Sequence, residues 1–142
     1  MELAESYLRR AGNKLYEAEN HLKKYNYPES ISAAQECIEH SVKAIFLLLQ
    51  EDYPKKHEFE EKDFVKVLEK IPKKLEYLDI PKVYLYSRFW SNFYKTAKYG
   101  LEKLGVGTEK LFEREEATLT LKHSNKCRSA AIQLESFTKH PW

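Results

Sequence analysis

The chain has 142 residues, with 24 Lys+Arg against 22 Asp+Glu for a net charge of +2, and is 42% hydrophobic and 32% charged. That is the length of one ordinary domain, and so even a balance excludes a strongly basic nucleic-acid coat protein and a polyanionic tail. The mixed composition excludes disorder, and the longest aliphatic and aromatic run, Ala44 to Leu49, falls far short of the roughly 20 residues of a membrane span.

Four Gly and five Pro leave few breaks, and apolar spacing predicts five helices. The first runs from about Glu2 to Lys24, with Ala4, Leu8, Ala11, Leu15, Ala18 and Leu22 in alternating steps of four and three along one face. Tyr25 to Pro28 interrupts it, and Pro28 suits the first turn of the next helix. The second, to about Gln50, carries two adjacent stripes, Ile31, Ala34, Ile38, Val42, Ile45, Leu49 and Ala33, Cys37, Ser41, Ala44, Leu48. So wide an apolar surface means burial against several neighbours. Glu51 to His57, with Pro54, reads as a polar loop. A third helix from about Glu61 to Leu78 uses Phe64, Leu68, Ile71, Leu75 and Leu78, split or kinked at Pro72. Pro81 opens a fourth, with the row Tyr86, Phe89, Trp90, Phe93, Ala97, Leu101 and Leu104, ended by Gly105 and Gly107. The last begins between Glu109 and Arg114 and faces inward with Thr120, His123, Cys127, Ala130, Leu134 and Phe137. No stretch alternates with period two. The reading is one all-α domain over residues 1–142, an antiparallel bundle with short connections.

Cys37 and Cys127 stand 90 positions apart and fit no CxxC pattern, and the charged N-terminal stretch has no apolar signal core. The expectation is a cytoplasmic protein with two reduced, buried thiols. Nineteen Lys and nineteen Glu against three Gln give a thermophile-like composition.

Gln35, Glu39 and Lys43 are spaced four apart on the second helix, followed by Ala44, Ile45 and Phe46. His57-Glu58-Phe59, Tyr94-Lys95-Thr96-Ala97-Lys98-Tyr99-Gly100, and Glu116-Ala117 followed by His123 and Cys127 come after them in order. Together these pieces resemble the HEPN family, from the first helix to about Phe137, with Lys98 where the family has Arg and Gly100 where it has Pro. The resemblance implies an antiparallel up-and-down bundle of four helices plus a short fifth, assembled as a homodimer. It also implies binding of nucleotide or RNA and association with a minimal nucleotidyltransferase, as in toxin–antitoxin pairs. Many members are metal-independent ribonucleases that use an Arg-x4–6-His motif paired across the dimer.

That motif can be tested exhaustively, because the chain has five Arg. None of Arg9, Arg10, Arg88, Arg114 and Arg128 is followed by His at five to seven positions. Relaxing Arg to Lys yields one hit, Lys14 to His21, in the first helix and not in the family's closing region. Cleavage of RNA without metal needs a base for the 2′-hydroxyl and a cation on the phosphate, held together. The chain departs from the family at that pair.

Gln35, Glu39 and Lys43 share one helix face, either as a solvated ridge or as a polar cleft where Lys43 meets phosphate and Gln35 a base edge. In the second case Lys98 is a further phosphate contact, Tyr99 stacks or hydrogen-bonds, and His123 is an outlying candidate. His123 on an apolar row otherwise reads as a satisfied core histidine. The aromatics of the fourth helix read as core first, interface second and base-stacking surface third. Cys37 with His40 and His123 with Cys127 would form a tetrahedral zinc site only if their helices faced each other, and no metal or cofactor is expected. No glycine-rich phosphate loop is present.

The expectation is a non-catalytic homodimer that binds a nucleotide or RNA, a partner nucleotidyltransferase, or both, with no membrane association. One alternative is a ribonuclease toxin with a rearranged site built on His123 or His40 and a lysine. The other is a structural adaptor dimer.

Overall fold

A computed structural model describes residues 2–49, 59–93, 96 and 99–141. The expected loop from Glu51 to His57, and Glu58, Tyr94, Lys95, Ala97 and Lys98, lie outside the described residues. The helices are α1 (Glu2–Lys23), α2 (Tyr27–Leu48), α3 (Glu61–Lys70), α4 (Ile80–Ser91) and α5 (Arg114–Lys139). They form an antiparallel up-and-down bundle of four helices with α3 as the short fifth, and the described residues contain no strand.

Side-chain pairing fixes the direction of the long helices. Tyr7 lies against His40, Lys14 against Glu36, and Ser30 Oγ–H donates to the Ala18 carbonyl, so residue numbers rise on α1 as they fall on α2. α5 also runs against α1, since Glu5 pairs with Lys139 at 3.0 Å and Gly12 lies under Arg128. A Cβ at Gly12 would stand 2.8 Å from the Arg128 guanidinium, so the missing side chain leaves room for that flexible group to lie over α1.

Pro28 and Pro81 occupy the first turns of α2 and α4, where a missing N–H costs nothing. Glu60 and Glu113 open α3 and α5, each backbone N–H donating to the carboxylate three residues on, Asp63 and Glu116. The core is centred on α2, whose Ile31, Ile38, Val42, Ile45 and Phe46 are all buried. Phe46 stacks on Phe59 at 5.8 Å and meets Phe64 edge-on at 5.5 Å, closing the bundle where α3 docks.

Two expectations need correction. α3 turns Phe64 and Val67 inward and leaves Leu68 exposed; 64-67-71 and 64-68-71 are both helical spacings, so periodicity could not choose between them. The fourth helix ends at Ser91 and does not continue to Leu104. Gly100 takes a left-handed φ of 75°, Leu101 pairs with Val106 in an isolated antiparallel bridge, and one tight turn spans Glu102–Leu104. Residues 101, 104 and 93 therefore do not continue a buried row. Trp90 is buried, while Phe89 and Phe93 are exposed. The break at Pro72 falls as expected, and a tight turn over Lys73–Leu78 follows it.

Candidate functional site

The wide apolar surface of α2 carries a polar strip on one flank. Gln35 is 1% and Glu39 5% exposed. The Lys43 side chain is 15% exposed, and its Nζ stands 3.4 Å from Glu39 Oε1. None of the three points at open water, so the solvated-ridge alternative does not describe them. Burial of a lysine and a glutamate together is tolerable because each neutralises the other. Gln35 Oε1 has no hydrogen-bond partner among the described residues.

What meets this strip comes from α1. Tyr7 is buried, with Lys43 Nζ 5.6 Å from its ring centroid and the exposed Arg10 5.0 Å from the same ring. The His40 ring lies 5.6 Å from Tyr7, and its Nδ1 is buried without a partner among the described residues. Burial lowers the pKa of His40 below the usual histidine value; Lys43 and Arg10 push the same way, against Glu39 and Glu36. The result is a neutral imidazole beside two cations on one aromatic ring. Tyr7 and Arg10 escaped sequence reasoning. The available signal was a widening of the first stripe, because Tyr7 stands one position before Leu8 and Arg10 one turn after Tyr7.

His123 and Tyr99 lie elsewhere. His123 belongs to the α4–α5 contact: Trp90 Nε1–H donates to His123 Nδ1 at 2.9 Å, and the Tyr86 ring stacks on it at 3.8 Å and 7°. That bond makes the proton-bearing nitrogen Nε2. Burial lowers its pKa, helped by Lys122 and Lys82. Tyr99 is exposed and borders a hollow of about 280 Å³ formed with residues 100–104. Lys98 is outside the described residues.

The relaxed Lys14–His21 pair is unsuited to hold phosphate. Lys14 is engaged by Glu36 at 2.8 Å and Glu17 at 3.1 Å, and the hollow it borders also takes in Glu29. Nor do the two Cys-His pairs converge, since His40 turns to α1 and His123 to α4. Among the described residues no group of three or more His, Cys, Asp or Glu is placed to hold a metal. Burial pushes the Cys37 thiol up to about 12 and raises Cys127 as well, so both are protonated and unreactive.

The profile of the HEPN domain matches residues 4–133, nearly the whole chain. The chain belongs to the HEPN family. In structure this HEPN domain is similar to TT1696 from Thermus thermophilus, with a TM-score of 0.70 over 94% of this chain and 99% of that one. At 17% identity the likeness is one of fold. No curated protein matches the sequence. Among the described residues no helix is long and apolar enough to cross a membrane.

Proposed function

We propose that residues 1–142 form one HEPN domain that works in the cytoplasm as a non-catalytic homodimer. It binds a nucleotide or RNA, a partner nucleotidyltransferase, or both, as a toxin–antitoxin component. The observation that carries the reading is the α1–α2 cluster, where Arg10 and Lys43 flank the Tyr7 ring beside the neutral His40 and the buried side-chain carbonyl of Gln35. An exposed guanidinium can take a phosphate and a half-buried imidazole can read a base or ribose edge, while Gln35, 1% exposed, lies behind them. Glu39 holds Lys43 and keeps the local charge from running strongly positive. Affinity should then be modest and sensitive to salt. Lys98 and Tyr99 remain part of the proposal as a further phosphate contact and a stacking group.

Arg10→Ala is the clean test, because Arg10 is exposed and its loss leaves no buried charge behind. Lys43→Ala is not, since it strands Glu39 in the interior at a cost of a few kcal/mol, about 3–5 for a fully buried pair. Isothermal titration with nucleoside mono-, di- and triphosphates should give a micromolar to millimolar signal in the wild type. Arg10→Ala should weaken it roughly tenfold, the scale of one charge-assisted hydrogen bond, with stability within about 0.5 kcal/mol. No heat with any nucleotide, and none with a short RNA, would remove the ligand from the proposal.

The second reading is a metal-independent ribonuclease with His40 as base and Arg10 as the phosphate cation. The observation favouring it is a neutral imidazole held near that guanidinium on a neighbouring helix, a pair that no linear Arg-His spacing could reveal. Labelled RNA incubated with micromolar protein in EDTA discriminates. Cleavage abolished by His40→Ala supports the enzyme, and intact RNA disposes of it.

A further inference from the structure

His123 stands outside the α1–α2 cluster, in surroundings with a chemistry of their own. Tyr86 of α4 stacks flat on its ring at 3.8 Å, and Trp90 Nε1–H donates to its Nδ1 at 2.9 Å. Those two contacts fix the plane of the imidazole and its tautomer, so Nε2–H is a donor of set direction. Among the described residues Nε2–H meets no acceptor, and it is left open to solvent.

The charge around this donor has one sign. Lys122 precedes His123 on α5, and Lys82 lies one turn before Tyr86 with Nζ 6.0 Å from that ring's centroid. Both are exposed, and neither has an ion-pair partner among the described residues. Lys14, Lys43 and Lys139, by contrast, are each held by a glutamate. After burial, Lys122 and Lys82 are what lower the pKa of His123, and no carboxylate opposes them as Glu39 and Glu36 do at His40. An oriented N–H beside two unneutralised ammonium groups attracts an oxyanion.

Next to it lies a surface for the rest of a ligand. Glu115, Leu119 and His123 are spaced four apart on α5, as are Arg114, Thr118 and Lys122 in the adjacent row. Along these rows residues 114, 115, 118, 119 and 122 border a hollow of about 360 Å³, with Leu119 42% exposed one turn before the imidazole.

We propose that the α4–α5 seam at His123 binds the phosphate of a small phosphomonoester, whose organic part lies over Leu119. The site is separate from the α1–α2 cluster and does not depend on it. Nε2–H donates to one phosphate oxygen, while Lys122 and Lys82 reach the others as point charges. A phosphomonoester carries a charge of about −1.5 to −2 near pH 7, which matches two ammonium groups. A carboxylate or an internal phosphodiester carries one charge and leaves one of the lysines unneutralised. Leu119 offers an apolar ring or chain a contact that inorganic phosphate cannot use.

Trp90 reports on the site, because its N–H bonds the same imidazole. Trp142→Phe leaves it as the one tryptophan of the chain. In that protein Trp90 emission is titrated with phenyl phosphate, with inorganic phosphate, and with sodium chloride at matched ionic strength. Phenyl phosphate should give a saturable change and bind severalfold more tightly than inorganic phosphate, and chloride should give none. Lys82→Ala combined with Lys122→Ala should weaken phenyl phosphate roughly tenfold or more, the scale of a lost charge-assisted contact. Helical circular dichroism should be unchanged, since both side chains are exposed. Leu119→Ser should cancel the advantage over inorganic phosphate. Arg10→Ala should leave the titration as it is, which separates this site from the α1–α2 one. Nitrogen NMR of the imidazole follows His123 directly: Nε2 should shift with ligand while Nδ1 keeps its bond to Trp90. A response to chloride equal to that of phosphate, or binding that ignores the two lysine changes, would overturn the site. So would loss of binding in Arg10→Ala, which would put the ligand on α1 and α2. Equal affinity for phenyl and inorganic phosphate would overturn the phosphomonoester. If a 5′-hydroxyl oligoribonucleotide bound more tightly than phenyl phosphate, and lost its hold in the double lysine variant, the seam would belong to RNA and the inference would be wrong.

Discussion

His123 shows how much chemistry one hydrogen bond decides. Its Nδ1 accepts the Trp90 N–H, so protonation there would set a donor against a donor. Burial, then Lys122 and Lys82, lower its proton affinity, and burial does the same to His40. In the unfolded chain both should titrate near about 6.5. Between that value and the lower folded one the unfolded state holds more protons, so stability rises with pH there. It is complete above about pH 6.5 and lost as pH falls toward the folded value. Urea unfolding at pH 7.5 and 5.0 should show the wild type weaker at the lower pH, with a smaller difference in His123→Gln. An equal difference in the two proteins would mean that His123 does not contribute. The sequence placed His123 on the inward row but could not supply Trp90 or Tyr86, which are 33 and 37 positions away. The same holds for Tyr7, Arg10 and Lys43, joined only by the crossing of α1 over α2.

At the scale of the element, periodicity finds a helix more readily than it finds the helix's inner face. In α3 the rival positions are adjacent: Val67 is 0% exposed and Leu68 42%. Val67→Ala should cost about 1–3 kcal/mol through lost burial and a cavity, and Leu68→Ala about 0.5 kcal/mol or less. Chemical denaturation of the two variants checks the assignment, and the reverse order would turn α3 over. α4 carries the same lesson further. Its row of aromatics looked like core because aromatics at helical spacing usually are, but Phe89 and Phe93 in that row stay uncovered by the described residues. Where α4 stops was equally hidden, since Gly105 and Gly107 looked like the terminators and the helix ends at Ser91. Gly100, beyond that end, takes a φ of 75°, and a Cβ there would meet the Val106 carbonyl at 2.6 Å, so the turn that brings Val106 back needs a glycine.

For the whole molecule, the homodimer proposed above should gain stability from its own concentration. The melting temperature should climb as protein is raised through the dimer dissociation constant. Differential scanning calorimetry over a wide concentration series measures it, and a flat curve would count against the homodimer.

The fold class, the long helices and the HEPN kinship were all legible in the chain, because helical period, proline at first turns and the Gln35–Glu39–Lys43 spacing are local properties. They need only the residues within a few turns of one another. The composition of the candidate site was not local. Arg10 and Tyr7 meet Lys43 and His40 because α1 lies antiparallel on α2, and His123 leaves that group because α5 turns it to α4. Which polar side chains share a dielectric and a hydrogen bond depends on how helices cross, and the crossing is set by all the apolar rows together.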